Sequence, residues 1–374
     1  MTASQLGKLP LDLVRPDLLN LPGYVGVEPV DVIAERLGVP PERIAKLDGN
    51  ENPYGPSPNA LLALQTFADY HLYPDPDLLR LRTALAEYTG VARESIVCGA
   101  GSDELIQLLC AAFVAPGERT IDLTPTFGMY RFETDLAGGE SVQVPRSGDF
   151  SIDLAALGDA VDEHTKLIFA THPNNPTGNL LAPAELDGLL AFGLPVVVDE
   201  AYIEFAGLER SFVGRVAQTP NLIVMRTFSK WAGLAGLRVG YALMAPELAE
   251  LLFRMRQPYS VGAAAEAGAV AALADRPLLM ERVAAIVAER GRMFERLGRV
   301  PFLRPHPSEG NFILCDVLRG DALSIRDRLR GFGVFVRHFD RPGLRNCLRI
   351  SVGLPRHTDQ LIAALEAIGV DIDQ

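Results

Sequence analysis

The chain has 374 residues and a formal net charge of −12, a length suited to one large domain and one smaller one. Hydrophobic residues make up 48%, enough to bury a sizeable core, which excludes a disordered chain. The acidic balance argues against a nucleic-acid partner, whose phosphates demand a basic face, but it leaves room for a local basic pocket.

Residues 1 to about 47 are rich in Leu, Pro and Val, with one helix-like stretch from Glu28 to Leu37. The prolines and glycine of Asn50 to Pro58 forbid helix or central strand. A helical pattern runs from Pro76 to Thr89. Ser95 to Cys98 then reads as a strand, Gly99 to Gly101 as a turn, and Ser102 to Val114 as a helix capped by Ser102. Further strands are expected at Thr120–Leu123, Ser141–Val144, Lys166–Ala170, Pro195–Val198, Asn221–Met225 and Val239–Met244. Most are continuous apolar runs with helical patterns between them, the mark of a largely parallel sheet buried on both faces. Two Ala-rich helices follow over roughly 262–298. Strands at Phe312–Val317, Val334–Val336 and Leu348–Val352 then interleave with helices at 323–331 and 356–368. The expected organisation is an N-terminal arm (1–47) packing with the small domain, a large α/β domain (48–256) and a small α+β domain (257–374).

Cys98, Cys110, Cys315 and Cys347 are far apart in apolar runs and read as buried reduced thiols. No histidine pair has HxH or HxxxH spacing, so no metal site is expected. The N-terminus lacks a signal-peptide core and no apolar run reaches spanning length, so a cytoplasmic chain with no membrane partner is expected.

Several segments carry chemistry. The strand Leu222–Met225 runs into Thr227-Phe228-Ser229-Lys230, with Arg238 eight residues beyond. A lysine in a desolvated, cationic pocket can lose its proton and attack a carbonyl, while the hydroxyls and guanidinium beside it can hold a phosphate. Gly99-Ala100-Gly101-Ser102-Asp103-Glu104, between strand and helix, offers amides to an anion; a plain capped helix explains it equally well. Glu104 stands where a dinucleotide fingerprint wants a third glycine, which leaves a NAD site weakly supported. His172 to Gly178 follows a strand end, where open α/β sheets place ligands, and includes Asn175; alone it reads as a turn. Val196-Val197-Val198-Asp199 ends a buried strand in acid, which needs a partner: a protonated pyridine nitrogen, a structural salt bridge or a magnesium ion. Tyr202 is three residues on. Arg337 and Arg349 lie in apolar strands and need an anion, either a ligand or one of the 47 acidic side chains.

Taken together in chain order, these segments resemble the fold-type I, class I/II aminotransferases that depend on pyridoxal 5'-phosphate (PLP). Asp48 to Pro56, Tyr73-Pro74-Asp75-Pro76, Pro125 to Tyr130 and Cys347 to Gly353 are similar to the histidinol-phosphate aminotransferase branch. The resemblance implies a three-layer, mostly parallel sheet with a smaller α+β domain. It implies that Lys230 bonds the cofactor and shuttles protons, that Asp199 holds the ring nitrogen protonated, and that Tyr202 and Asn175 bond the ring hydroxyl oxygen. Ser102, the Asp103 amide, Thr227, Ser229 and Arg238 would bind the cofactor phosphate, joined by Tyr54 from the other subunit of a homodimer with shared sites. Phe127 would stack on the ring, where many relatives carry tyrosine. Arg349 would bind the glutamate carboxylate and the substrate phosphate, assisted by Arg337 and Tyr24. The implied reaction passes an amino group from L-histidinol phosphate to 2-oxoglutarate. Rival readings are an aromatic amino-acid aminotransferase, a threonine-phosphate decarboxylase, and a PLP-binding regulator without turnover.

Overall fold

The computed structural model describes residues 9–372 apart from 20, 22, 24 and 25. Among the described residues the strands are β1 (Ala45–Leu47), β2 (Ile96–Gly99), β3 (Arg119–Thr124), β4 (Glu140–Pro145), β5 (Thr165–Thr171), β6 (Val196–Asp199), β7 (Leu222–Thr227), β8 (Gly240–Leu243), β9 (Leu303–Pro305), β10 (Phe312–Val317), β11 (Val334–His338) and β12 (Cys347–Ser351). They form two sheets, ordered β2-β8-β7-β6-β5-β3-β4 and β1-β11-β12-β10-β9.

In the larger sheet β4, β3, β5, β6 and β7 are parallel, and β8 is antiparallel to both of its neighbours. Residues 228–239, between β7 and β8, contain no α-helix, so the chain lacks the crossover that a parallel return requires. The apolar runs are apolar for a reason that period-2 geometry makes visible. Ile168, Val196, Val198, Leu222 and Val224 face one core, while Leu167, Phe169, Val197, Ile223 and Met225 face another on the opposite side. Helix Gly101–Phe113 supplies Leu105 and Leu109 to the second core, and helices Leu79–Thr89 and Ala263–Ala274 cover the first. The result is the three-layer α/β arrangement expected.

The smaller sheet is antiparallel except where β1 runs parallel to β11. β1 and β9 were not anticipated, because three residues are too few to show a period. Arg15, in the N-terminal segment, donates from Nη1 to the Leu136 carbonyl at 3.3 Å, on helix Met129–Ala137 beside the larger sheet.

Two local expectations need correction. The helix expected from Pro76 starts at Leu79, because the Asp75 carboxylate accepts from the Asp77 and Leu79 amides and holds a turn there. Ser102 is not the cap of its helix. That helix begins at Gly101, and the Glu104 carboxylate reaches back to the Ala100 amide at 2.5 Å. All four cysteines are buried free thiols. No helix among the described residues is long and apolar enough to cross a membrane.

Candidate active site

The C-terminal ends of β5, β6 and β7 open onto a cavity of about 200 Å³, the edge where open α/β sheets place their ligands. Among its lining residues are Lys230, Asp199, Tyr202, Asn175, Phe127, Thr227, Ser229, Arg238, Ser102 and Asp103. One cavity therefore gathers side chains spread over more than a hundred residues of sequence.

Lys230 sits one turn past β7. Thr227 fixes this turn: its hydroxyl donates to Ser229 Oγ at 2.9 Å and accepts from the Ser229 amide at 3.1 Å. Beneath it Trp231 is fully buried and stacks on Tyr88. The Lys230 amine donates to the Gly49 carbonyl at 3.3 Å. Burial, then the nearby Arg349 charge, lowers its pKa to about 8, against the opposing pull of Glu51 and Asp103. A lysine so placed is neutral in a substantial fraction near physiological pH.

Asp199 ends β6 and is buried. Burial pushes its carboxyl up to about 6, while hydrogen bonds from the Tyr130 hydroxyl (2.8 Å) and the Ala201 amide (3.0 Å) favour the anion. Tyr202 accepts from Asn50 Nδ2 at 3.0 Å and from Asn175 Nδ2 at 3.5 Å. Burial raises its pKa as well, opposed by Arg349 and Asn50.

At the other end the amino terminus of helix Gly101–Phe113 meets Arg238. A Cβ on Gly240, in β8 below, would lie 2.5 Å from the Ser102 amide nitrogen, so glycine is what lets the helix start approach the sheet this closely. Arg238 has a left-handed backbone (φ 53), an uncommon and strained state for a side chain of this size. Its guanidinium bonds Asp103 at 2.6 Å and Ser229 Oγ at 3.4 Å. The Asp103 carboxylate thus pairs with this arginine at the start of the helix.

Arg349, on β12, donates to Asn175 Oδ1 and to the Asp48 carbonyl, each at 2.7 Å. Arg337 is its register partner on β11, and both guanidinium carbons lie within 6 Å of the Phe339 ring, at 5.8 and 5.5 Å. Tyr54 is 37% exposed and does not line the cavity of a single chain. Tyr24 falls outside the described residues.

Sequence reasoning missed Tyr130 and Asn50 as parts of this site. Asn50 also has a left-handed backbone (φ 52), and its hydrogen bonds to Tyr202 and Ser351, with Asn311 bonding its carbonyl, tie β12 to the cavity. The signal for both was membership of segments already singled out, Asp48–Pro56 and Pro125–Tyr130. Among the described residues no group of His, Cys, Asp and Glu side chains could hold a metal ion.

The family model for aminotransferase class I and II matches residues 42–368. The chain belongs to this family. This aminotransferase is 47% identical, over 365 residues, to the histidinol-phosphate aminotransferase of Roseiflexus castenholzii, covering 95% of this chain and 98% of that one. It is 45% identical to the chloroplastic histidinol-phosphate aminotransferase of Nicotiana plumbaginifolia, over 94% of this chain and 86% of that one. Among solved structures, the histidinol-phosphate aminotransferase of Sinorhizobium meliloti in complex with pyridoxal-5'-phosphate superposes with a TM-score of 0.85. It is 32% identical, over 96% of this chain and 98% of that one.

Proposed function

We propose that the chain is a PLP-dependent histidinol-phosphate aminotransferase, passing the amino group of L-histidinol phosphate to 2-oxoglutarate and yielding imidazole acetol phosphate and glutamate. The observation that carries this reading is the bipolar cavity. A buried carboxylate, Asp199, ends β6, while Arg238, the Ser102, Thr227 and Ser229 hydroxyls and a helix amino terminus gather toward β8, with the Lys230 amine that follows β7 in the same lining. That donor set fits a group with a cationic ring nitrogen and a phosphate.

In this reading Asp199 holds the ring nitrogen, Tyr202 and Asn175 the ring hydroxyl oxygen, and Phe127 one ring face. Ser102, the Asp103 amide, Thr227, Ser229 and Arg238 hold the phosphate. When bound, the cofactor supplies an electron sink for the charge left on the substrate Cα. The neutral Lys230 amine, its charge disfavoured by burial and Arg349, takes the Cα proton onto Nζ and later gives it back as a general acid. Arg349, already oriented by Asn175 and Asp48, binds the carboxylate of glutamate in one half-reaction and the substrate phosphate in the other. Arg337 and Tyr24 assist at the distal anion.

The proposed assembly is a homodimer in which Tyr54 reaches the phosphate of the partner's site. Its support is that the stretch from Tyr54 to Tyr73 exposes several large apolar side chains, Tyr54, Leu61, Leu62, Tyr70 and Tyr73, which a partner subunit would cover. The proposed domains are an arm (1–47) with the small domain (257–374), and the large domain (48–256); the pairing of β1 with β11 supports the arm's place. A cytoplasmic location is supported by the four free thiols. The test is formation of glutamate from 2-oxoglutarate by PLP-loaded enzyme. Glutamate should appear with L-histidinol phosphate and be absent without it; no glutamate would sink the assignment.

A further inference from the structure

Asp199 has a hydrogen-bonding neighbour whose ring is wholly buried. Tyr130 occupies the second position of helix Met129–Ala137, and its ring is fully buried. The ring stacks on Phe169 of β5 at 4.6 Å and 7°, and it meets Phe127 edge-on at 5.7 Å and 83°. Held by these two aromatic contacts, it delivers its hydroxyl to Asp199 Oδ2 at 2.8 Å. The Ala201 amide takes the other oxygen, Oδ1, at 3.0 Å. Each carboxylate oxygen therefore receives one fixed donor and keeps lone-pair capacity for a ligand.

A carboxyl in this position faces a conflict. Contact with a cationic ring nitrogen requires an anion, while burial and the acids Asp103 and Glu200 favour the neutral form. Donors aimed at the charged form oppose that tendency, and the Tyr130 bond is the first of them. The second, from Ala201, comes from Asp199's own chain two residues on and follows the local turn. Tyr130 is the donor that depends on a separate element.

We propose that Tyr130 is a positioning residue for transamination, whose hydroxyl keeps the Asp199 carboxylate ionised and turned toward the cofactor's ring nitrogen. The proposal rests on the cofactor reading given above and adds to it a residue that acts only through Asp199.

The test uses Tyr130→Phe, which keeps the ring and its contacts with Phe169 and Phe127 and removes one oxygen. Apo forms of parent and variant are titrated with PLP and with its 1-deaza analogue, in which the ring nitrogen is replaced by C–H. The variant should bind PLP about tenfold more weakly than the parent, as expected for losing one hydrogen bond to a charged group. The two proteins should bind the deaza analogue alike. In the PLP-loaded enzymes kcat should fall while KM for the amino donor stays unchanged. Equal loss with both cofactors would mean that the hydroxyl serves packing, and no loss with either would mean that it is idle; each result overturns the proposal. A parent that binds PLP no better than the deaza analogue overturns the Asp199 reading itself, and this proposal with it.

Discussion

Arg349 donates to the amide oxygen of Asn175 at 2.7 Å, across 174 residues of sequence and between the two sheets. The same Asn175 turns its amide nitrogen to Tyr202. The arginine that would anchor the substrate is thereby hydrogen-bonded to a group that would hold the cofactor. Replacing Asn175 by Ala should therefore raise KM for the amino donor and weaken PLP binding together. Titration of the apo variant alongside steady-state kinetics checks this; a change in one quantity alone would separate the two roles.

Lys230 is the amine proposed to bond the cofactor. Lys230→Ala should lower turnover by at least about a thousandfold and abolish the visible absorbance of the lysine-bound cofactor. In the parent apo-protein the amine is neutral above its lowered pKa of about 8. The rate of PLP capture should accordingly rise with pH and level off above that value. A capture rate independent of pH between 6 and 10 would assign the bond-forming amine elsewhere.

Asp199 illustrates a site that works against stability. Its pKa is raised to about 6 in the fold, from 3.8. Between those values the unfolded chain ionises while the fold keeps the proton, so the apo-protein loses stability as pH rises through that window and stays lower above it. Asp199→Asn should be inactive, yet its apo form should be more stable than the parent by on the order of 1–3 kcal/mol at pH 8, with the gain shrinking toward pH 4. Thermal melts of both apo-proteins across that range test the sign.

Gly101 has φ +82, and a Cβ there would lie 2.4 Å from Arg238 Nη2. Gly101→Ala should cost about 1–3 kcal/mol of stability through backbone strain. It should also weaken PLP binding by displacing the Arg238 guanidinium from Ser229 and Asp103. Binding equal to the parent's would show that Arg238 does not hold the phosphate.

How much of this was legible in the sequence depends on how local each feature is. Lys230, Asp199 and Asn175 stand at the ends of strands or just beyond them, and an apolar run that stops in a polar residue advertises a ligand edge. The buried sheet was legible for the same reason. The Asp199–Tyr130 and Tyr202–Asn50 bonds join residues 69 and 152 positions apart, and no spacing rule reports such contacts. The Asp103–Arg238 pair shows the same limit. Asp103 and Arg238 lie 135 positions apart on different elements, so nothing in the local sequence shows that the fold pairs the acid with the arginine.

Tyr54 offers a test of assembly. If each site takes Tyr54 from the partner subunit, mixing and re-equilibrating Tyr54→Phe with Lys230→Ala protomers should create hybrid dimers with one intact site. Random exchange of equal amounts would restore roughly a quarter of parental sites. Activity no higher than that of the two variants measured apart would show that sites are not shared.

Lys230 is proposed to serve L-histidinol phosphate in preference to other amines, phosphorylated or not. The most direct measurement mixes PLP-loaded enzyme, in separate single-turnover experiments, with L-histidinol phosphate, phenylalanine, tyrosine and threonine phosphate, following the visible absorbance of the lysine-bound cofactor. L-histidinol phosphate should bleach it fastest at equal concentration, and 2-oxoglutarate should then restore it. Faster bleaching by phenylalanine or tyrosine, or bleaching by threonine phosphate alone, would give the site a different amino donor and overturn the assignment.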